Sequence, residues 1–148
     1  MRAAVVDDLA AVLRLLAEDV IREREEPVEV TRRQRDALVE LVADPRETLL
    51  AGEEDGELVA TAQVSWLRHL IYDGGLVAQV ESVRVRSDLR GQGLGERLMA
   101  DVEWRARERG CARLQLTTNA ARTDAQRFYE RLGFRASHVG MKRWLEES

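Results

Sequence analysis

The segment that decides the fold of this chain is Val83-Arg84-Val85-Arg86-Ser87-Asp88-Leu89-Arg90-Gly91-Gln92-Gly93-Leu94-Gly95-Glu96. It begins as a valine-rich strand, continues as a glycine-rich turn, and ends where apolar residues start to recur four apart. Glycines permit positive φ and let the backbone approach a ligand closely. The free N–H groups at the start of the next helix then form an anion site, which the helix dipole strengthens. The segment therefore predicts a strand, a turn that binds phosphate or pyrophosphate, and a helix.

Two common phosphate-binding loops do not fit this turn. A dinucleotide-binding fingerprint requires glycine at its third spaced position, which Glu96 occupies here, and a P-loop requires Gly-Lys-Ser or Gly-Lys-Thr, which the sequence lacks. Residues 84–97 carry four arginines against two carboxylates, so the turn lies in a locally basic stretch. A helix that merely begins with glycines, without a ligand, stays open as the alternative.

Upstream residues predict two helices and then antiparallel strands. A first helix, with Asp7 or Asp8 as its cap, follows from the apolar spacing of Leu9, Val12, Leu13, Leu16 and Val20. Thr31 is the expected cap of a second helix, which ends before Pro45 and buries Leu38, Leu41 and Val42. Residues 48–52 and 57–66 predict a hairpin around the turn at 53–56, and a turn at 72–75 precedes a valine-rich strand at 76–86.

Downstream residues alternate between helix and strand. A helix ending near Gly110 follows from the four-residue spacing of Leu94, Leu98, Val102 and Ala106. Residues 112–118 predict a strand, and Thr123 or Asp124 opens a short helix that ends near Gly133. A final strand is predicted from the alternation of Val139, Met141 and Leu145. We therefore expect one α/β domain over residues 1–148, with a mixed, mostly antiparallel central sheet flanked by helices.

Composition limits the classes of protein that this chain could be. Its 148 residues suit one domain, and its net charge of -4 argues against a general nucleic-acid binder. No apolar run approaches the roughly 20 residues that span a membrane, and acidic residues come too early for a signal peptide. The single cysteine, Cys111, excludes an internal disulfide framework. We expect a cytoplasmic protein without a membrane or nucleic-acid partner.

Two motifs in order carry a resemblance to a known family. Residues 90–95 match the pattern Q/R-x-x-G-x-G/A, and residues 125–134, which follow Asn119, match A-x-x-F-Y-x-x-x-G-F. Together they resemble the GNAT superfamily of N-acetyltransferases. The resemblance implies the acyl-CoA N-acyltransferase fold, acetyl-CoA as cosubstrate, no metal, and direct acetyl transfer to a primary amine of a small molecule or protein. It also implies a homodimer. The alternative that stays open is a non-catalytic acetyl-CoA-binding or sensing module on the same fold.

The resemblance also implies a set of cosubstrate-binding residues. The pyrophosphate would lie on the turn, at Arg90, Gly91, Gln92, Gly93, Leu94 and Gly95. The pantetheine arm would lie along the backbone of Val83 and Val85 and near Asn119, although a turn asparagine that satisfies local backbone groups would look the same. The family strand normally carries a bulge. Val80 and Val83 lie on opposite phases of the alternation, as one inserted residue would produce, whereas a strand buried on both faces would need no bulge.

Glu81 and Tyr129 are the candidate catalytic residues. Glu81 stands where many relatives hold a base, and its apolar neighbours are expected to raise the pKa of the carboxyl group. Its alternative is a carboxylate that faces solvent or pairs with an arginine such as Arg68. Tyr129 matches the family tyrosine that protonates the coenzyme A sulfur, and its alternative is packing beside Phe128. Trp66 and Tyr72 are weaker candidates for walls of the acceptor pocket.

Overall fold

The computed structural model of the chain describes residues 1–18 and 29–146. Within them the strands are β1 (Arg2–Ala3), β2 (Glu47–Glu54), β3 (Glu57–Arg68), β4 (Leu76–Val85) and β5 (Cys111–Leu116). The helices are α1 (Leu9–Ala17), α2 (Arg32–Ala43), α3 (Ile71–Gly74), α4 (Leu94–Glu108) and α5 (Thr123–Arg131). The sheet runs β1-β2-β3-β4-β5, and every neighbouring pair is antiparallel except β4 and β5, which are parallel. The mixed, mostly antiparallel sheet that the sequence predicts is thus confirmed.

The sheet separates two apolar layers. Side chains alternate between the faces of a strand, so neighbouring buried residues belong to different layers. The layer under α4 contains Leu50, Ala60, Ala62, Val64, Trp66, Ala78, Val80, Leu98, Met99, Val102 and Ala106. Intervening strand positions point to the opposite face, where α1 contacts β3 and β4 and α2 contacts β2. The buried residues there include Ala51, Val59 and Val77.

The first two helices begin close to where the sequence predicts. Thr31 caps α2, since its hydroxyl accepts from the Gln34 amide at 3.1 Å and the Gln34 side chain accepts in return at 3.0 Å. Leu38 is buried as expected, but Val42 is 48% exposed because it lies on the outer side of the helix. Asp8 precedes α1 without capping it, because its carboxylate binds Arg2 and the Val5 amide instead. The predicted helix residue Val20 lies outside the described residues.

The turns follow the predicted glycine pattern. The β2–β3 hairpin closes through Asp55 and Gly56, whose φ values of 52° and 79° suit a two-residue hairpin turn.

The expectation that Trp66 lines an acceptor pocket is wrong. Its indole is only 3% exposed, donates to the Thr48 hydroxyl at 3.0 Å, and lies under the guanidinium of Arg109. Trp66 belongs to the core because its strand position faces α4.

The predicted final strand is absent: residues 134–146 are neither helix nor strand. Val139, Met141 and Leu145, whose alternation predicted it, are 88%, 92% and 90% exposed. Alternation supplies an apolar face, but a strand also needs a neighbour for its backbone hydrogen bonds. In the described ranges no second strand lies beside the outer edge of β5.

No helix in the described ranges is both long and apolar enough to cross a membrane.

Candidate functional site

The predicted bulge lies in β4. Thr61 pairs with Arg84 and Gln63 pairs with Glu81, so two residues of β4 stand opposite one residue of β3. The inserted conformation is at Ser82, whose φ of 55° is left-handed. A bulge bends the strand and interrupts its pairing. The break of period between Val80 and Val83 therefore has the predicted cause.

The bulge coincides with the point where β4 and β5 stop pairing. Their last paired residues are Val80 and Leu116, whereas β4 continues to Val85. Beyond Val80 no described strand pairs with β4 on its β5 side. The side chains of Val83 and Val85 pack against the core under α4. The backbone of Val83 and Val85 therefore has no described strand on its β5 side, and we call this gap the cleft; an extended ligand could hydrogen-bond to the strand there.

The glycine turn joins this cleft to the start of α4. Gly91 and Gly93 have φ values of 80° and 83°, with open space where a Cβ atom would lie. These glycines are therefore required by the backbone conformation rather than by crowding. Gly93 occupies the N-cap position of α4 without a side-chain cap, so the first N–H groups of the 15-residue helix are available to an anion. Arg90 and Gln92 are exposed beside them, and Leu94 is buried.

Gly95 couples the turn to α5. A Cβ atom at Gly95 would lie 3.2 Å from Cζ of Phe128, which is tighter than ordinary van der Waals contact. The glycine thus lets α4 approach the helix that carries Tyr129.

The positive charge near the turn is partly neutralised by the chain itself. The guanidinium of Arg86 contacts Asp88 and Glu57 at 2.7 Å each. Hydrogen bonds from Arg86 hold the pKa of the Asp88 carboxyl below its usual value. Of the four arginines counted in this stretch, Arg86 is therefore engaged within the protein.

Tyr129 lies half-buried on α5, beside the cleft. Its ring makes edge contacts with Phe128 and Phe134 at centroid distances of 5.1 and 5.7 Å. Burial raises the pKa of the Tyr129 phenol, and the positive charges of Arg84 and Arg122 offset part of that increase. The hydroxyl makes no hydrogen bond to the part of the chain that the structure describes, and because it is not a buried unpaired polar atom it reaches solvent. The phenol is therefore protonated at neutral pH and available to a ligand.

Glu81 stands at the bulge, but its surroundings differ from the expectation. Its side chain is exposed rather than enclosed among apolar neighbours, because its position on β4 points away from the core under α4. Arg68, the partner considered for it, instead donates to the carbonyl of Gly74 at 2.6 Å. The carboxylate is thus open to solvent and to an incoming substrate.

A row of polar side chains crosses the sheet next to Glu81. Strand register places Glu47, Ser65, Gln79 and Gln115 side by side on the face opposite α4. The Ser65 hydroxyl donates to Glu47 at 2.8 Å, and the Gln115 amide donates to Gln79 at 2.6 Å. We call these four residues the polar row. Sequence reasoning missed it, although polar residues at alternate positions of otherwise apolar strands were a signal.

Asn119 follows β5 and binds its own turn. Its Oδ1 accepts from the amide of Ala121 at 2.9 Å, and its carbonyl accepts from the amide of Arg122 at 2.8 Å. This is the local role that the sequence left open. The predicted contact with a pantetheine arm stays a prediction.

The described residues form no cluster suited to a metal ion, and Cys111 is not a reactive thiol. Within residues 1–18 and 29–146 no three histidine, cysteine or carboxylate side chains are grouped to hold a metal ion. Burial raises the pKa of the half-buried Cys111 thiol, which disfavours the nucleophilic thiolate.

Comparisons with known proteins agree with this geometry. The family model described as "Acetyltransferase (GNAT) family" matches residues 10–134. The aminoalkylphosphonate N-acetyltransferase of Salmonella typhimurium is 32% identical over 104 residues, which cover 70% of this chain and 67% of that protein. The aminoglycoside N(6')-acetyltransferase type 1 of Serratia marcescens is 36% identical over 99 residues, covering 64% and 67%. A crystal structure from Bacillus halodurans C-125, described as a transcriptional regulator, superposes with a TM-score of 0.93 at 39% identity and covers 97% of both chains.

Proposed function

The chain belongs to the GNAT family of acetyltransferases and is an acetyl-CoA-dependent N-acetyltransferase; from that premise we propose that Glu81 and Tyr129 catalyse acetyl transfer to a small, polar primary amine. The observation that carries the assignment is their placement. Glu81 stands at the bulge, and Tyr129 packs against the same core as Val83 and Val85, which border the cleft, with a hydroxyl that no described residue binds.

The cleft and the glycine turn are the proposed site of acetyl-CoA. Its pyrophosphate would accept from the N–H groups at Gly91, Gln92, Gly93, Leu94 and Gly95, with Arg90 beside them. The pantetheine arm would run along the backbone of Val83 and Val85, where β4 has no described neighbour on its β5 side. In this arrangement the thioester would lie near the bulge, and Asn119 would lie on the β5 side of the cleft.

The chemistry would then proceed by direct attack. Glu81, directly or through a water molecule, takes a proton from the ammonium form of the acceptor, and the amine nitrogen forms a bond to the thioester carbonyl carbon. A backbone N–H at the bulge stabilises the resulting oxyanion. When the C–S bond breaks, Tyr129 gives its proton to the sulfur. As the C–S bond breaks, the nitrogen loses its second proton, which solvent carries to the Tyr129 phenolate, and Glu81 releases the first proton to solvent. The products are the N-acetylated amine, coenzyme A and one proton.

The polar row supports a small polar acceptor. Gln79 lies two residues before Glu81 on the same side of β4, so a substrate whose amine meets Glu81 would cover the row. Amide, hydroxyl and carboxylate groups there can hydrogen-bond to hydroxyl or ammonium groups of an acceptor. The named substrates of the two curated relatives, an aminoalkylphosphonate and an aminoglycoside, are polar amines as well.

The proposal also covers the cellular location, the oligomeric state and the partners of the enzyme. We propose a cytoplasmic enzyme, because a single cysteine suits a reducing compartment. A homodimer is proposed from the exposed apolar residues near the C-terminus. A net charge of -4 supports the absence of a nucleic-acid partner.

The test is thiol release from acetyl-CoA across a panel of amines. The panel contains aminophosphonates, amino sugars, alkylamines and a peptide with a free N-terminus, so protein acceptors are covered. We expect turnover with at least one small polar amine. With the best acceptor, Glu81→Gln should lower kcat/KM about 100-fold or more at neutral pH. Glu54→Gln, an exposed glutamate at the end of β2, is the matched control.

Two outcomes would contradict the proposal in different ways. Equal rates for Glu81→Gln and Glu54→Gln would remove the catalytic role of Glu81. Binding of acetyl-CoA without turnover on any amine would favour the non-catalytic module.

A further inference from the structure

We propose that Arg113 binds an anionic group of the acetyl acceptor, so that the enzyme favours primary amines that also carry a phosphonate, phosphate or carboxylate. This inference rests on the proposed acetyl transfer at Glu81. Strand register places Arg113 opposite Val77, on the same face of the sheet as Gln79 and Glu81. A guanidinium therefore lies beside the polar row, at its β5 end.

The guanidinium of Arg113 is held in place by two neutral groups. Its Nε donates to Oε1 of Gln115 at 3.0 Å, and its Nη1 donates to the Tyr72 hydroxyl. The guanidinium carbon also lies 5.1 Å from the centroid of the Tyr72 ring, which is a cation–π contact. A guanidinium has five N–H groups, and these two bonds leave the other three without a partner among residues 1–18 and 29–146.

The charge of Arg113 is not neutralised within the described part of the chain. No carboxylate there forms an ion pair with it, whereas Arg86 and Arg105 each have a carboxylate oxygen at 2.7 Å. The guanidinium fork matches a phosphonate or carboxylate, which can accept two parallel N–H bonds. An ordered guanidinium with unused donors therefore suits an anionic ligand.

Tyr72 holds this guanidinium from a strained segment between β3 and β4. Tyr72 and Asp73 have φ values of 56° and 55°, a left-handed conformation that residues other than glycine rarely adopt. Arg68 ties the segment to β3, because its guanidinium donates to the Gly74 carbonyl at 2.6 Å. Strain of this kind is concentrated where a segment holds a functional group. The role expected for Tyr72 at the acceptor pocket thus takes a specific form, which is the orientation of Arg113.

The polar row connects Arg113 to Glu81. Gln115, which accepts from Arg113, donates to Gln79 at 2.6 Å, and Gln79 lies two residues before Glu81 on β4. Two residues along a strand and one strand across amount to about 8 Å. An acceptor with its amine at Glu81 therefore reaches Arg113 with an anionic group about 8 Å away.

The charges along the row give the acceptor a direction. Glu47 stands at the β2 end of the row and Arg113 beside its β5 end, while Glu81 lies next to the middle. The two glutamates attract an ammonium group and repel an anionic group, which Arg113 attracts. An acceptor with both charges thus binds with its amine at Glu81 and its anionic group toward β5.

The first test compares acceptors that differ only at the end remote from the amine. Aminoalkylphosphonates and aminocarboxylates of several chain lengths are compared with amino alcohols of equal length, and the readout is the ratio of kcat/KM for the anionic acceptor to kcat/KM for the alcohol. Arg113→Gln should lower this ratio about 10- to 100-fold, as expected for loss of a hydrogen bond between charged groups. Arg107→Gln is the matched control and should leave the ratio unchanged, because Arg107 is an exposed arginine on α4, on the other side of the sheet.

Equal ratios in Arg113→Gln and Arg107→Gln, or a wild type that prefers the amino alcohols, would overturn the anion site and leave the proposed acetyl transfer standing. Tyr72→Phe removes only the hydroxyl that orients Arg113. It should raise KM for anionic acceptors about 3- to 10-fold with little change in kcat, and an unchanged KM would remove the positioning role of Tyr72.

A binding measurement separates this inference from the proposed function. Calorimetric titration of an aminoalkylphosphonate into the chain with coenzyme A requires no turnover, because coenzyme A has no acetyl group to transfer. The Kd should rise about 10- to 100-fold in Arg113→Gln and stay unchanged in Arg107→Gln. If this rise occurs but no amine is acetylated, the anion site stands and the proposed function is wrong. If the Kd is equal in the two variants, the anion site is wrong whatever the turnover.

Discussion

Replacing the Tyr129 hydroxyl should separate catalysis from stability. Tyr129→Phe keeps both edge contacts, at 5.1 Å to Phe128 and 5.7 Å to Phe134. Because the hydroxyl has no hydrogen-bond partner in the described residues, its removal should change the free energy of unfolding by less than about 1 kcal/mol. Tyr129→Ala, which loses both contacts and leaves a cavity, should cost about 3 kcal/mol.

The expected loss of rate is much larger than the loss of stability. General acid catalysis usually contributes about 10²- to 10⁴-fold, and a thiolate with a pKa near 8.5 leaves fairly well without help. We therefore expect kcat of Tyr129→Phe to fall about 100-fold, the lower end of that range. The assay is thiol release at saturating acetyl-CoA and acceptor, with urea denaturation of the same preparations as the measure of stability.

The pH profile tests the same assignment. Tyr129 acts in its protonated form, and burial raises the pKa of the phenol above its ordinary value of about 10. The wild-type kcat should therefore not decline between about pH 7 and 9.5, since the phenol stays protonated throughout that window. A kcat of Tyr129→Phe within threefold of wild type, about 0.7 kcal/mol of barrier, would refute the assignment. A wild-type rate that falls with a midpoint below about pH 9 would refute the raised pKa.

Three further predictions concern the turn, the core and a helix cap. Gly93→Ala and Gly56→Ala both place alanine at a left-handed φ, 83° and 79°, and each should cost about 1–2 kcal/mol of unfolding free energy. Steady-state kinetics should show a raised KM for acetyl-CoA only in Gly93→Ala, and an equal rise in both variants would contradict the anion site. Thr48→Val removes the acceptor of the Trp66 indole and should cost about 1–3 kcal/mol in chemical denaturation, whereas an unchanged midpoint would show that the hydrogen bond is unimportant. Thr31→Ala should lose about 1 kcal/mol by the same measurement, and Thr31→Asp should retain it.

Local features of the fold followed from the sequence because their causes are local. Positive φ at Gly56 and Gly93 requires residues that tolerate it, so the hairpin and the glycine turn were visible as glycines at particular spacings. The bulge was visible as a break in alternation between Val80 and Val83. The cap at Thr31 was visible from residue type, because threonine is a favoured N-cap residue.

Features that depend on several strands could not be derived in this way. The polar row exists because register brings Glu47, Ser65, Gln79 and Gln115 together from four strands. The exposure of Glu81 and the burial of Trp66 depend on which face of the sheet α4 covers. A single strand's alternation distinguishes two faces but does not say which one is buried.

Residues 135–146 show most clearly what the tertiary structure adds to the information in the sequence. The sequence alone determined the family motifs and the glycine turn, because each is a matter of residue type and spacing, and the resemblance that those motifs carry predicted the candidate pair Glu81 and Tyr129. It also determined that apolar and polar residues alternate over residues 135–146 as they do in a strand. Only the tertiary structure decided that this pattern forms no strand within the described chain, because a strand requires a neighbouring backbone, and that neighbour is set by the packing of distant segments.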